Sequence, residues 1–175
     1  EPRLSLGYSS EGRNGFVGVG WSLGGFSTIE RTNTGGGTPR WDATDVYRLD
    51  GAKMLACGWG VTSPGCAAGG THATENENFK RIKRDAATNT WTVWEKSGVR
   101  SVYTAIMSAA QGSYRWGLHQ VIDTKGNTVD YAWHCDTDCY PSTVTFGPYT
   151  VTMFREARPD VLSYARGADL GRTTQ

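Results

Sequence analysis

The sequence predicts an all-β fold: an antiparallel meander of short hairpins forming a sandwich, a barrel or a curved wall, with long Gly-rich ordered loops. Three observations carry this. Helical periodicity is nearly absent, and the one stretch of helix formers free of breakers, Thr104 to Gln111, makes scarcely two turns. Short runs of β-branched and aromatic residues recur at roughly 8–12-residue intervals, each bounded by turn residues. The 175 residues include 23 Gly, seven Trp, eight Tyr and five Phe, the composition of a chain that turns often and packs large rings.

Taken in order, residues 7–40 resist strand assignment and are expected as an ordered loop. Within them Gly18-Val19-Gly20-Trp21-Ser22-Leu23-Gly24-Gly25 lets backbone pass close to the Trp ring. Val46 to Leu49 is the first clear strand. Ala56 to Asn78 is a second expected loop. Phe79 to Lys83 and Thr90 to Glu95 flank a turn at Asp85 to Asn89, which would bring Trp91 and Val93 against Phe79. Arg100 to Thr104 is the next strand. The clearest hairpin joins Tyr114–Asp123 to Thr128–His134: Gly126 and Asn127 supply the positive φ of a tight turn, while Val129, Tyr131 and Trp133 alternate onto one face. Ser142 to Phe146 and Tyr149 to Arg155 flank a third turn at Gly147-Pro148. No Pro-rich or Ser-rich linker divides residues 1–175, so they read as a single domain. The start at Glu1-Pro2 and the polar end at Gln175 read as a processed piece or a fragment of a larger chain.

The formal net charge of +1, with 38% hydrophobic and 20% charged residues, is the balance of a globular domain without a global field to draw nucleic acid. No apolar run approaches the roughly 18 residues of a membrane span. Lys80, Arg81, Lys83 and Arg84 form the one basic cluster; alternation places Lys80 and Arg84 on one face and Arg81 and Lys83 on the other, which suits a charged strand guarding a sheet edge. The four cysteines fall in two local pairs, Cys57 with Cys66 and Cys135 with Cys139, and suit two short-loop disulfides in a secreted protein. A zinc site is the rival reading, but the spacing of Cys57 and Cys66 is wide for it.

Three passages resemble a known family. The first holds Gly18, Gly20, Trp21 and Leu23, then Pro39 and Arg40, then Asp45, Tyr47 and Gly51. The middle holds Phe79-Lys80-Arg81-Ile82 with Trp91-Thr92-Val93-Trp94. The third holds Trp116, Asp123, Gly126, Asn127 and Tyr131, followed by Arg158, Pro159 and Asp160. In order and over nearly the whole chain, these are similar to the N-terminal domain of the SpvB proteins and insecticidal toxin-complex B subunits, relatives of Rhs/YD-repeat proteins. The resemblance implies a β-rich, non-catalytic, virulence-associated module in the wall of a hollow shell that encloses a separate toxic segment. The four cysteines are not part of that pattern, and family members continue into further β modules.

Candidate chemistry is sparse. Glu75-Asn76-Glu77 has the Glu-x-Glu spacing of ADP-ribosyltransferases without their other motifs, and reads as solvated loop glutamates. A hydrolytic triad has only His72, His119 and His134 to draw on as base. Asp42, Asp45, Asp50, Asp123, Asp130, Asp136 and Asp138 stand mostly at turns, where carboxylates bond local backbone rather than a glycosidic oxygen or calcium. The glycine runs lack the helix and the Lys-Ser/Thr ending of a phosphate cradle. No catalytic residue, cofactor or metal is expected. The expected function is a non-enzymatic secreted or cell-surface β-structural module, packing with other β modules of a toxin-like chain or with copies of itself. The alternative is an extracellular glycan-binding module in which exposed rings, Trp59 and Trp94 foremost, stack on sugars.

Overall fold

The computed structural model describes residues 2–12, 14–58, 60–136 and 138–156. Its elements are β1 (Ser5–Tyr8), β2 (Asn14–Gly15), β3 (Gly18–Val19), β4 (Trp21–Gly24), β5 (Thr28–Thr32), β6 (Val46–Leu49), β7 (Ala52–Ala56), α1 (Pro64–Ala67), β8 (His72–Thr74), β9 (Arg81–Asp85), β10 (Thr90–Trp94), β11 (Arg100–Ala109), β12 (Gly112–Ile122), β13 (Thr128–Cys135), β14 (Cys139–Phe146) and β15 (Tyr149–Thr152).

Antiparallel neighbours run from β5 to β12 in chain order, and β12 returns to pair with β5, closing an eight-stranded barrel. The closure rests on Arg115–Gly117 of β12 against Thr28–Glu30 of β5. Further along the same edge, Gln120–Ile122 pair with Thr128–Asp130 of β13, so β12 shares one edge between the barrel and a β13–β14–β15 meander. Outside this sheet, β1 pairs with β4 and β2 with β3, forming an N-terminal arm.

Ile29, Leu49, Met54, Ile82, Trp91, Val93, Tyr103, Trp116 and Leu118 form the barrel core, continued by Val129, Tyr131 and Val144 of the meander. Each such side chain contributes about 1.5–3 kcal/mol on leaving water. Trp91 and Trp116 are fully buried and meet edge to face at 6.0 Å between centroids. The Trp116 indole N–H donates to the Asn89 carbonyl at 3.0 Å, which fixes the β9–β10 turn with Asn89 at φ 54°.

Several expectations change. Thr104–Gln111 is not helical: β11 runs through it to Ala109, and continuous pairing with β12 overrides the local helix preference of Ala, Met and Gln. Residues 7–40 contain most of β1 to β5, in strands of two to five residues whose glycines carry no side-chain pattern. Residues 56–78 contain α1, capped by Ser63 Oγ on the Gly65 N–H with Pro64 at its start, and β8. Phe79 does not lie under Trp91 and Val93; it is exposed at φ 60° beneath the Lys96 ammonium, and Ile82 stands opposite Val93 instead. Nor does β9 guard an edge, because it lies between β8 and β10.

The β12–β13 hairpin forms where expected, pairing Ile122 with Thr128 and Val121 with Val129, with one amendment at its turn. Gly126 has φ 85°, whereas Asn127 keeps a negative φ and acts through its side chain, donating Nδ2–H to Asp123 Oδ2 at 2.7 Å. Nothing lies within 4 Å of a Cβ placed on Gly126, so the cost of a branched side chain there is purely conformational. Gly126→Val is expected to lower the unfolding free energy by more than about 1 kcal/mol, read by urea denaturation; unchanged stability would contradict the positive-φ requirement.

Candidate interaction surface

The N-terminal arm is built by close backbone approach. Gly20, at φ 79°, sits against the Ser9 carbonyl and the Tyr8 ring, leaving a Cβ no room, and Gly18 at φ 118° leads out of the β2–β3 turn. That geometry turns Trp21 onto Tyr8 at 5.2 Å between centroids, yet leaves Trp21 45% exposed. Leu6, Val19 and Phe16 are exposed beside it.

Facing the arm is the end of the meander. Leu6, Phe16, Trp21 and Leu23 line one wall of an open groove of about 680 Å³; Tyr140, Pro141, Met153 and Phe154 line the other. Phe16 meets Tyr140 edge to face at 6.2 Å. Phe154 is 93% exposed at its mouth. Sequence reading missed this groove because its walls come from opposite parts of the chain.

A second hollow, about 830 Å³, opens between the barrel end and the meander. Its polar floor is a hydrogen-bonded chain: the Ser27 hydroxyl lies 2.9 Å from the Tyr103 hydroxyl and donates to the Asp50 carboxylate at 2.8 Å, which also accepts the Thr28 N–H at 2.9 Å. Burial raises the Tyr103 phenol above its ordinary value. The chain fastens β5 and the β6–β7 turn to β11.

The resemblance residues divide between barrel and arm. Asp45 accepts the N–H groups of Arg40 and Trp41 and the Nε–H of Arg31, each at 2.8 Å, so it pins the Pro39–Asp45 loop over one barrel end with Trp41 at φ 65°. Tyr47 packs on Trp91 at 4.8 Å and Trp116 at 5.9 Å inside the barrel. Gly51, at φ 83°, turns β6 into β7. Asp123 accepts the Lys125 and Asn127 N–H groups in the hairpin turn. Tyr131 is buried against Phe26 at 5.7 Å. Arg158, Pro159 and Asp160 lie outside the described residues.

Of the two rings expected to meet a glycan, Trp59 also lies outside the described residues. Trp94 carries the Arg81 guanidinium over one face of its ring at 3.8 Å. The expected acids and bases are similarly engaged: Glu75 pairs with Lys53 at 2.9 Å, and the Ser63 hydroxyl and Phe79 N–H hold Glu77 below its ordinary pKa. His72, His119 and His134 stand on three different strands, the first inside the barrel and the others exposed. The run Gly20-Trp21-Ser22-Leu23-Gly24 has the G-x-S-x-G spacing of a nucleophile elbow. Ser22, however, sits within β4 with its hydroxyl donating to the Gly7 carbonyl at 3.4 Å, not at a strand-to-helix turn.

Both expected disulfides are present, Cys57–Cys66 and Cys135–Cys139, the second joining directly opposed residues of β13 and β14. Intact mass without reductant is therefore expected four hydrogens below the fully reduced mass. Four alkylatable thiols in the unreduced protein would refute it.

A family model described as SpvB, Salmonella virulence plasmid 65kDa B protein, matches residues 1–143. The N-terminal domain of effector protein SpvB from Salmonella typhimurium strain LT2 superposes with a TM-score of 0.61 at 21% identity, covering 87% of this chain and 61% of that one. A Photorhabdus luminescens Tc holotoxin pore matches with a TM-score of 0.64 at 20% identity, over 83% of this chain and 8% of its own. The crystal structure of TcdB2-TccC3 matches at 0.63 and 18% identity, over 83% and 9% respectively. No curated protein matches the chain. At these identities the structures share a fold with a chain that spans only part of their length.

Proposed function

The chain belongs to the SpvB family, and from that membership we propose that it is a non-catalytic, secreted β-structural module that packs with other β modules of a toxin-like polypeptide or with copies of itself. The observation that carries this is the apolar groove between arm and meander. Exposed Leu6, Trp21 and Phe154 converge there, and Arg155 and Glu156 of the same lining add one charge of each sign, an arrangement suited to another protein surface. Two disulfides suit an oxidising, extracellular setting. The candidate acids and bases serve turns, ion pairs and the barrel interior rather than one reaction centre, which supports a structural reading over an enzymatic one.

The test is size exclusion with light scattering across a concentration series, together with binding of the apolar dye ANS. Mass growing above 19.1 kDa, with dye binding that falls as association proceeds, is expected. A 19.1-kDa species at every concentration would overturn packing between copies. A chain that in addition leaves the dye dark would overturn the groove as a docking surface.

A further inference from the structure

Among the described residues, closure of the barrel disposes of every lateral edge of the large sheet but one. The order runs from β11, which is tied back to β12, to β15, whose outer side has no neighbour among the described residues. All four residues of β15 are exposed. Natural sheets protect such an edge with charges, Pro or a bulge. Here the opposite holds: from Cys139 to Phe154, through β14 and β15, there is no charged residue, and β15 itself reads Tyr149-Thr150-Val151-Thr152.

The backbone of that edge is also in register with itself. The Met153 N–H donates to the Ser142 carbonyl, and β15 pairs with β14 at Thr152–Thr143, Val151–Val144 and Thr150–Thr145. The two-residue period of an antiparallel ladder therefore turns the N–H and C=O of Val151 toward β14 and those of Thr150 and Thr152 outward. We infer that β15 pairs antiparallel with β15 of a second copy about a two-fold axis through Val151, joining the two large sheets into one. This rests on the reading of the module as one that packs with its own kind, and names the strand that does it.

About that axis each outward Thr150 faces Thr152 of the other copy, so the two Thr pairs satisfy the open backbone groups of both edges. Met153 falls opposite Tyr149, and Phe154 beside Pro148, which covers rings that are 64% and 93% exposed in the lone copy at Tyr149 and Phe154. Arg155 and Glu156 fall opposite Gly147 and Phe146, so no like charges meet. The contact is isologous and closes as a dimer.

Val151 stands opposite itself at a non-hydrogen-bonded position, where Cα atoms approach to about 4.5 Å, within disulfide reach. Val151→Cys is expected to give a covalent dimer under mild oxidation, well ahead of Ala87→Cys, an exposed control at the β9–β10 turn. Thr152→Pro deletes an outward N–H without touching the bonds to β14, and is expected to abolish the concentration-dependent rise in native mass while the melting temperature holds. If the wild-type chain associates and Thr152→Pro associates equally, or if Val151→Cys cross-links no faster than Ala87→Cys, the pairing is overturned and packing through another surface stands. A wild-type chain that remains monomeric overturns both. Protection of the Thr150 and Thr152 amides from hydrogen exchange in such a monomer would assign the edge to a segment of its own chain.

Discussion

Arg115→Ala is expected to lower the unfolding free energy by about 3–5 kcal/mol, the usual consequence of removing one member of a buried ion pair. Arg115 is buried on β12, with Nε–H donating to Glu30 of β5 at 2.8 Å and Nη1–H to Asp138, in the loop between β13 and β14. Its position explains the size of the effect. The two elements that share the edge of β12 each bring a carboxylate to the same guanidinium, so deletion leaves both acids without it at the junction of barrel and meander. Asp138→Ala combined with Arg115→Ala should cost less than the sum of the two, since each single change breaks the same Arg115–Asp138 pair. Urea unfolding followed by Trp fluorescence reads both; an Arg115→Ala loss below about 1 kcal/mol would reduce the network to a surface pair.

The second large effect is a loss of stability in mild acid. His72 lies inside the barrel end, against Tyr47 at 5.5 Å and Trp91 at 4.9 Å, with Thr71 Oγ1 at 2.9 Å from Nδ1. Burial, and next the positive charge of Arg84, lower its pKa from 6.5 to about 4. Between those values the unfolded chain takes up a proton that the native barrel refuses, so its contribution is complete above pH 6.5 and declines as the pH falls toward 4. The decline integrates to on the order of 3 kcal/mol. Turn carboxylates held below their ordinary values, Asp42, Asp85 and Asp123, act in a separate window nearer or below pH 3.8. Urea titrations between pH 7 and 4 test this: His72→Gln should flatten the slope in that interval and leave the steeper loss below it. An unchanged slope would transfer the effect to other groups.

Much of the barrel wall was legible from local signals. Val46–Leu49, fenced by Asp45 and Asp50, matches β6, and the turn at Gly126 located the β12–β13 hairpin. Adjacent cysteines likewise pointed to their own partners. What remained hidden was long-range. Nothing near Ile29 announces that it will lie beside Trp116, and without that pairing a barrel, a sandwich and an open wall share one pattern of hairpins. Thr104–Gln111 misled because its helix formers face strand partners that local propensity does not include. The groove was hidden for the same reason, with Trp21 and Phe154 meeting only once the arm and the meander are in place.

The β5–β12 seam also dictates an order of folding. Neighbours from β5 to β11 can zip together as each emerges, since every pairing among them is local, but β5 cannot complete its ladder until Gly117 has been made and brought back across the whole barrel. Closing so long a loop comes late and slowly. Until then a growing chain presents β5 as a raw edge with Ile29 uncovered, and its safety from misassembly depends on how quickly β12 arrives.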